Sequence, residues 1–549
     1  MNNRAVSHLS LLFLIFSLQH AVSQEYRLDT LATPGVQFPV CIAFSPDNSG
    51  KFFFTEKNNG RVRIFEAGAL KSNPLTTVSV TSSGEQGLLG VALHPQYPDT
   101  PYVYIYYTST RSDRANMVVR YRDSTGIGIT KDTLLIVPRV GSDLNNTNHD
   151  GGNIHFGPDG MLYVTIGEYG NNPSHAQDTA ASNYKGKIHR LNDDGTIPPD
   201  NPFPGKPFWS YGHRNSFDFT FDSQTGKIYC TENGPNCNDE INIVPRRGNL
   251  GWPFDGNCSY SGNPAYIRPL YRFPSAPLPA LTGIVVYRSA AFPRLRGSIL
   301  FAGNSNPRIW SLVLSANGDT IVPGSFSTFF SYSTGFADIE IGPDGNIYLT
   351  NGPYNANRIL RLRPVAPAFT SAPPSSATPG VRYMYAPTFS GTPPAVAVAS
   401  GPAGMIVDTT TWTVKWTPTS GQGGSHSVTL RATNGAGTAD QSFAINVTTS
   451  SALRDEDLSR DFVLEQNYPN PFNPGTKIKF TIPNVWTRLA VSIQVYDVLG
   501  QEVATLVNEE LAPGTYEMQF SAGSLSSGVY IYRLASGGFV QTKSMMIVK

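Results

Sequence analysis

Residues 154–168 read IHFGPDGMLYVTIGE, in which a Pro-Asp-Gly turn separates two apolar, aromatic-rich runs. Runs of Val, Ile, Tyr and Phe are typical of β-strands, and the turn residues supply the backbone angles that a tight connection needs. The stretch therefore predicts a β-hairpin.

The same arrangement recurs along the first two thirds of the chain. The other copies are IAFSPDNSGKFFFTE (Ile42–Glu56), VALHPQYPDTPYVYIYYT (Val91–Thr108), FTFDSQTGKIYCTE (Phe219–Glu232), LRGSILFAGNSNPRIWSLVL (Leu295–Leu314) and IEIGPDGNIYLTNG (Ile339–Gly352). A lone hairpin cannot bury its apolar face, so repeated units pack against each other around a shared axis. Six units over about 340 residues predict an all-β fold, a six-bladed β-propeller over residues 24–363. A sandwich of unrelated hairpins is the alternative.

The composition changes after residue 363. Residues 364–450 are rich in Ser, Thr, Gly and Pro and contain alternating runs such as WTVKWTP (Trp412–Pro418) and HSVTLRATN (His426–Asn434). They predict an immunoglobulin-like or cadherin-like β-sandwich. A polar linker is expected over residues 451–462, which include LRDEDLSR.

Residues 463–549 carry a third pattern. Its parts are LEQNYPNPFNP (Leu464–Pro474), VSIQVYDVLGQEVATL (Val491–Leu506), SGVYIYRL (Ser527–Leu534) and a terminal KSMMIVK. The segment resembles the C-terminal sorting domain of type IX secretion cargo. The resemblance implies a small β-sandwich, the type IX secretion machinery as partner, and passage across the outer membrane to the medium or the cell surface. A small β-sandwich without a sorting role is the alternative.

The first 23 residues predict a signal peptide. Arg4 precedes the apolar run Leu9–Leu18, and Ala21-Val22-Ser23 forms a small-x-small cleavage site. The run is too short to span a bilayer, and no other stretch is long and apolar enough to predict a transmembrane segment. A net charge of +1 with 15% charged residues argues against nucleic acid as a partner.

Four cysteines, Cys41, Cys230, Cys237 and Cys258, stand in this chain. Export permits disulfides. The Cys237–Cys258 and Cys230–Cys237 pairings both stay open, and the spacing matches no zinc motif.

Three polar loops carry the residues best suited to chemistry. They read NHDGG (Asn148–Gly152), YGHRN (Tyr211–Asn215) and ENGPNCNDE (Glu232–Glu240). His149 is a candidate base, because imidazole titrates near neutral pH. Arg214 stays charged and can stabilise an anion. The alternatives are an idle surface histidine and an arginine that only ties loops together.

The third loop is a candidate metal site. A Gly-Pro turn at Gly234-Pro235 can present two backbone carbonyls side by side, and Ca²⁺ takes hard oxygen ligands of that kind. Asp239 and Glu240 are candidates for further ligands. An Asx-rich turn without a metal is the alternative.

These loops occur together with GEQGLLGVALHP (Gly84–Pro95), LNDDGTIPPDNPF (Leu191–Phe203) and GNLGWP at residues 248–253. In the order in which they occur along the chain, these segments resemble those of the soluble glucose/sorbosone dehydrogenase family, whose cofactor is pyrroloquinoline quinone. The resemblance implies a sugar substrate, with His149 as the base for the C1 hydroxyl and an acceptor near the sugar hydroxyls from Glu85, the closer match by position, or from Gln86. It also places Arg214 and Asn215 against the quinone and calcium on the Gly234 and Pro235 carbonyls.

The chain departs from that family on one side of the site. The family's fifth-blade lysine falls near Ser305, and its Arg-x-Arg element falls at Gly335, Phe336 and Ala337. The quinone carries three carboxylates, and burying them without basic partners is costly. Arg308, in a shifted register, is the candidate replacement.

Two hypotheses follow. The first is an exported, calcium-assisted quinoprotein that oxidises an aldose or a related sugar. The second is a non-catalytic cell-surface propeller that binds carbohydrate or protein, as the hedgehog-interacting proteins that resemble the same family are thought to do. The intact loops favour the first hypothesis and the missing basic residues favour the second.

Overall fold

The computed structural model describes the chain over nine ranges. They are residues 25–32, 35–170, 172–254, 262–352, 356–409, 411–448, 462–483, 489–523 and 525–548. The predicted signal peptide and residues 451–461 of the predicted linker lie outside them. No helix in these ranges is long and apolar enough to cross a membrane.

Six antiparallel sheets between residues 26 and 364 form a six-bladed propeller, which confirms the predicted fold class. In blades 2 to 5 the strands follow one another in chain order from the first strand outward, and in blade 1 both β5 and β6 pair with β4.
Blade 1 contains β2 (Pro39–Phe44), β3 (Phe52–Glu56), β4 (Arg61–Glu66), β5 (Ala69–Leu70) and β6 (Thr76–Thr77). Blade 2 contains β7 (Leu88–Leu93), β8 (Tyr102–Thr108), β9 (Asn116–Ser124) and β10 (Ile127–Val137). Blade 3 contains β11 (Ile154–Phe156), β12 (Leu162–Ile166), β13 (Lys187–Leu191) and β14 (Phe208–Tyr211). Blade 4 contains β15 (Ser216–Phe221), β16 (Ile228–Glu232), β17 (Asp239–Ile243) and β18 (Tyr271–Phe273). Blade 5 contains β19 (Leu281–Tyr287), β20 (Ser298–Gly303), β21 (Arg308–Val313) and β22 (Ser327–Ser331).

Blade 6 closes the ring with a strand from the other end of the propeller. It contains β23 (Asp338–Ile341), β24 (Ile347–Asn351), β25 (Arg358–Pro364) and, outermost, β1 (Tyr26–Ala32). β1 pairs antiparallel with β25, and Asp29 accepts hydrogen bonds from the guanidinium groups of Arg361 and Arg363. The first and last strands of the propeller therefore share one sheet.

Helical structure is sparse. Within the described ranges one short α-helix, α1, spans Pro173–Gln177, and 3₁₀ turns span Gly141–Asn145 and Pro293–Leu295.

The first strands of the six blades contact each other in a closed ring around the central axis. Threonine hydroxyls near the ends of three second strands join neighbouring blades. Thr55 donates to the Leu89 carbonyl at 2.7 Å, Thr231 to the Thr282 carbonyl at 2.8 Å, and Thr350 to the Val40 carbonyl at 2.8 Å. Each bond satisfies a buried carbonyl of the next blade, which stabilises the ring.

Buried carboxylates on the first strands do the same near the axis. Asp218 Oδ2 accepts from the Ile284 amide and Asp338 Oδ2 from the Ile42 amide, both at 2.8 Å. Burial, with Asp218 nearby, raises the pKa of Asp338 well above its ordinary value. Burial also raises the pKa of Glu340, and Asp338 and Asp218 add to this shift. Three carboxyl groups thus lie on first strands, near the axis of the propeller.

Residues 368–447 form three further sheets over a buried core that includes Trp416. Their strands are β26 (Ala368–Phe369), β27 (Ser376–Ala377), β28 (Tyr383–Tyr385), β29 (Phe389–Ser390), β30 (Ala395–Ser400), β31 (Ile406–Asp408), β32 (Thr413–Trp416), β33 (Gly424–Asn434) and β34 (Gly437–Val447).

Residues 463–547 form two sheets with a separate apolar core. Their strands are β35 (Val463–Leu464), β36 (Gly475–Ile482), β37 (Leu489–Tyr496), β38 (Glu502–Leu511), β39 (Gly514–Ser521), β40 (Gly528–Ser536) and β41 (Phe539–Ile547). The boundaries predicted at residues 363/364 and 450/451 stay predictions.

The structure excludes one of the two predicted disulfide pairings. Cys237 is disulfide-bonded, whereas Cys41 and Cys230 are buried free thiols. The Cys230–Cys237 pairing is therefore wrong, because Cys230 lies inside β16 as a core residue. Cys258, the partner in the other pairing, lies outside the described residues.

Candidate active site

A cavity of about 620 Å³ opens at one end of the propeller channel. Residues from all six blades or the loops that join them line it, and His149, Arg214, Asn215, Glu85, Gly234, Pro235 and Asp239 are among them. Its volume lies within the range of ordinary small-molecule sites. The structure thus brings seven of the nine predicted site residues to one place.

His149 is held in a defined orientation. Its backbone is left-handed (φ 60°), a conformation that few non-glycine residues adopt. Its Nδ1 lies 2.6 Å from Glu168 Oε1, and its side chain is largely buried. A carboxylate on Nδ1 fixes the neutral tautomer that carries its proton on Nδ1, so Nε2 is the basic nitrogen.

Gly167 makes this arrangement possible. A Cβ on Gly167 would lie 2.1 Å from the His149 carbonyl oxygen. Only glycine allows that approach, so the Ile166-Gly167-Glu168 end of the β12 hairpin fits under the His149 loop.

Glu85 connects the His149 loop with the Arg214 loop. Its Oε2 accepts from the His149 amide at 2.8 Å and from Asn215 Nδ2 at 3.1 Å. Asn215 Oδ1 in turn accepts from the Gly151 amide at 3.3 Å. Burial raises the pKa of Glu85, and the nearby His149 opposes that shift. Glu85 therefore positions the site as well as facing the cavity.

Arg214 reaches the cavity from the β14–β15 connection. Its Nη1 donates to the Asn233 carbonyl at 2.8 Å and the Gly234 carbonyl at 3.0 Å, and the guanidinium lies 5.2 Å from the centre of the Trp252 ring. Burial lowers its pKa, and nearby carboxylates, Glu168 first among them, oppose that shift. Because arginine stays charged, the side chain is a fixed cation in the cavity wall.

Glu232, at the end of β16, holds the Arg214 loop in place. Its Oε1 accepts from the backbone amides of Arg214, at 3.0 Å, and Asn215. Its Oε2 accepts from Ser216 Oγ at 2.6 Å and lies 3.2 Å from His213 Nδ1. His213, Cys230 and Glu232 each offer a possible metal-ligand atom within 4.8 Å of one another. Since the carboxylate and the imidazole are already hydrogen-bonded, we read this cluster as structural.

The predicted metal residues divide between two sides of β17. Gly234, Pro235 and Asp239 line the cavity, whereas Glu240 lines a small cleft behind the Gly234 loop. Successive strand residues point to opposite faces, so Asp239 and Glu240 cannot both face the cavity. Asp239 accepts from the Gly234 amide at 3.0 Å and the Ala280 amide at 2.9 Å, and burial raises its pKa to about 6.

The wall near blades 5 and 6 is neutral. Ser305 and Ala337 line the cavity there, as the sequence predicts for the positions of the missing basic residues. Arg308 is exposed at the start of β21 and is not among the lining residues. The structure therefore does not bring Arg308 to the site. Lys57, which the sequence analysis did not select, lines the cavity from blade 1.

Comparisons with known proteins identify the family of the propeller. Residues 36–361 match the family model described as Glucose / Sorbosone dehydrogenase. The chain belongs to this family. Residues 363–448 match an Ig domain model, and residues 466–549 match the secretion system C-terminal sorting domain. The sorting domain indicates export.

Individual relatives cover the propeller. An uncharacterized protein of Synechocystis sp., slr1608, is 32% identical over 359 residues, 60% of this chain and 84% of the relative. The aldose sugar dehydrogenase YliI of Escherichia coli is 29% identical over 346 residues, 59% of this chain and 90% of the relative. The PQQ-bound aldose sugar dehydrogenase of Streptomyces coelicolor is a solved structure with 28% identity and a TM-score of 0.52. The alignment covers 62% of this chain and 98% of that one.

Proposed function

We propose that this chain is an exported sugar dehydrogenase that oxidises an aldose or a related sugar with pyrroloquinoline quinone and calcium. One observation carries the proposal. A buried histidine with a carboxylate on Nδ1, a fixed guanidinium and a Gly-Pro turn line the same cavity. The relatives named above are the second support.

The residues around Gly234 fit the calcium ion of this cofactor. The Gly234 carbonyl oxygen accepts one hydrogen bond from Arg214, and its second lone pair suits a hard cation such as Ca²⁺. Pro235 and Asp239 line the same cavity and carry further oxygen atoms. When bound, the quinone supplies the acceptor for the hydride that leaves the sugar carbon, and calcium polarises it as a Lewis acid.

The protein's own residues then have separate roles. His149 Nε2 accepts the proton of the sugar C1 hydroxyl, and Glu168 stabilises the imidazolium that forms. Glu85 and Asn215 hold the His149 loop at the substrate. Arg214 stabilises negative charge that develops in the cavity. Proton removal and charge stabilisation thus come from two different walls.

Export follows from the sorting domain. We propose that the type IX secretion machinery recognises residues 463–549 after a signal peptide has directed the chain into the periplasm. The mature protein is then released or held on the cell surface.

A titration of the full chain tests the function. The purified protein with Ca²⁺ is titrated with pyrroloquinoline quinone, and dye-coupled oxidation of aldoses is then measured. His149→Ala should lower kcat by about 100-fold or more, the usual contribution of a general base. It should leave quinone affinity nearly unchanged.

His94→Ala is the matched control. The His94 side chain lies near Asp193, is only 15% exposed and is not among the residues that line the cavity, so a folded His94→Ala variant should retain wild-type activity. Absence of quinone binding by the wild-type protein would refute the cofactor, and the second reading, a propeller that only binds its ligand, would then stand.

A further inference from the structure

A second cation, the Lys57 ammonium group, lines the cavity together with Arg214. Among the described residues that line it, two carry a positive charge, Arg214 and Lys57. In the closed ring of six blades, blade 1 stands opposite blade 4. The two cations therefore flank the cavity from opposite sides.

Lys57 is fixed in position. It follows β3, and only 7% of its surface is exposed. Its Nζ donates to the Ser82 carbonyl at 3.1 Å and lies 5.3 Å from the centre of the Phe38 ring. A Cβ on Gly87 would lie 2.5 Å from Lys57 Cγ, so the glycine leaves room for the lysine stem. The chain thus builds a place for this side chain.

The charge of Lys57 is only partly compensated. Its side chain makes no ion pair within the part of the chain that the structure describes. Burial lowers its pKa, and the more distant Asp150 and Glu85 oppose the shift. An ammonium group that is buried without a paired anion costs free energy, which an anionic ligand would recover.

The neighbouring wall of the cavity, at blades 5 and 6, lacks a positive charge among its described residues. Ser305 and Ala337 leave blades 5 and 6 without a basic group at the cavity, and blade 1 follows blade 6 in the ring. We propose that Lys57 binds a carboxylate of the molecule in the cavity and replaces the basic residues that are missing there. The inference rests on the proposed function, because it assigns a ligand group within the same site.

Two sources can supply the carboxylate. One is the quinone, and the other is an acidic sugar such as a uronic acid. In both cases Lys57 forms a charge-assisted hydrogen bond, which is stronger than a neutral one.

The experiment compares full-length wild-type protein, Lys57→Met, Lys57→Arg and the control Lys71→Met. Lys71 is an exposed blade 1 lysine that pairs with Glu66 at the surface. Affinity for pyrroloquinoline quinone with Ca²⁺ is measured without sugar, by the change in quinone absorbance. Affinity for glucuronate is measured by calorimetry without quinone. Thermal melting shows whether each variant is folded.

If the quinone supplies the carboxylate, Lys57→Met weakens quinone binding by about 10- to 100-fold. Lys57→Arg loses less, and Lys71→Met stays at the wild-type value. If the sugar supplies it, quinone affinity is unchanged and glucuronate binding falls by at least about 10-fold.

The outcomes separate the two proposals. A wild-type protein that binds no quinone refutes the proposed cofactor, and glucuronate binding then decides the role of Lys57. If the wild-type protein binds a ligand, and folded Lys57→Met binds quinone and glucuronate as tightly as the wild type does, the role of Lys57 alone is refuted. Equal losses in Lys57→Met and Lys57→Arg refute the role of its charge, and binding of neither ligand to the wild type overturns both proposals.

Discussion

Replacing Glu232 tests whether the Arg214 loop depends on one buried carboxylate. In Glu232→Ala the backbone amides of Arg214 and Asn215 lose their shared acceptor. A buried donor left without a partner costs about 1–3 kcal/mol, so the two together cost about 2–6 kcal/mol. Ser216 Oγ and His213 Nδ1 add little, because they already lie 2.7 Å apart and can bond to each other.

Glu232→Gln is the milder change. It keeps an acceptor at Oε1, and its amide nitrogen can donate to Ser216 or His213. Only the charge-assisted part of the bonds is lost, which costs about 1–2 kcal/mol. The expected order of stability is wild type, Glu232→Gln, Glu232→Ala.

Hydrogen exchange at increasing urea concentration, read by mass spectrometry, measures the free energy of unfolding of the propeller separately from the rest of the chain. The amides of Arg214 and Asn215 should also exchange faster in Glu232→Ala under native conditions. Glu66→Ala is the control, because the Glu66 side chain is 38% exposed and its ion pair with Lys71 lies at the surface, where such a pair is worth about 1 kcal/mol or less. If Glu232→Ala changes stability no more than Glu66→Ala does, the loop does not depend on this carboxylate.

Two further predictions concern buried titratable groups. Because the pKa of Glu340 is raised, the folded chain keeps this proton at a pH where the unfolded chain has released it, so the free energy of unfolding falls as pH rises above about 4.5. Glu340→Gln should reduce the fall in the free energy of unfolding between about pH 5 and about pH 8, measured by urea denaturation. A shift of the urea midpoint between the two pH values that is equal in wild type and variant would contradict this prediction. Burial raises the pKa of the Cys41 and Cys230 thiols well above its ordinary value, so iodoacetamide should modify them only after unfolding. Rapid modification of either thiol in the native protein, seen by peptide mass spectrometry, would count against this.

The sequence predicts the propeller because its turns are encoded locally. Five of the six quoted stretches are the first and second strands of a blade. The sixth, Leu295–Leu314, covers the second and third strands of blade 5, β20 and β21. The first strand of that blade, LTGIVVY, is joined to β20 by residues 288–297, which lack a Pro-Asp-Gly turn. The repeated turn pattern therefore does not predict this first strand of blade 5.

The polar loops are equally visible in the sequence, whereas the residues that support them are not. Glu168 and Glu232 support the loops of His149 and Arg214, Lys57 lines the same cavity, and all three lie at or just beyond the end of a second strand, within TIGE, TEN and TEK. In the sequence these residues resemble ordinary strand ends. Their role in the site depends on contacts with loops that are distant in sequence. The recurring threonine was the available signal, since its hydroxyl fixes that end of the strand to the next blade in TEK and TEN.

The closing sheet of blade 6 has a mechanical consequence. If the C-terminal region is held at a cell surface, drag on the propeller enters through β25, which lies between β24 and β1. A pull along β25 loads both of its hydrogen-bonded ladders in shear, so that many bonds must break together. The Asp29 contacts to Arg361 and Arg363 lie along the same line. The strand that closes the ring is thus also the strand that would bear the tether.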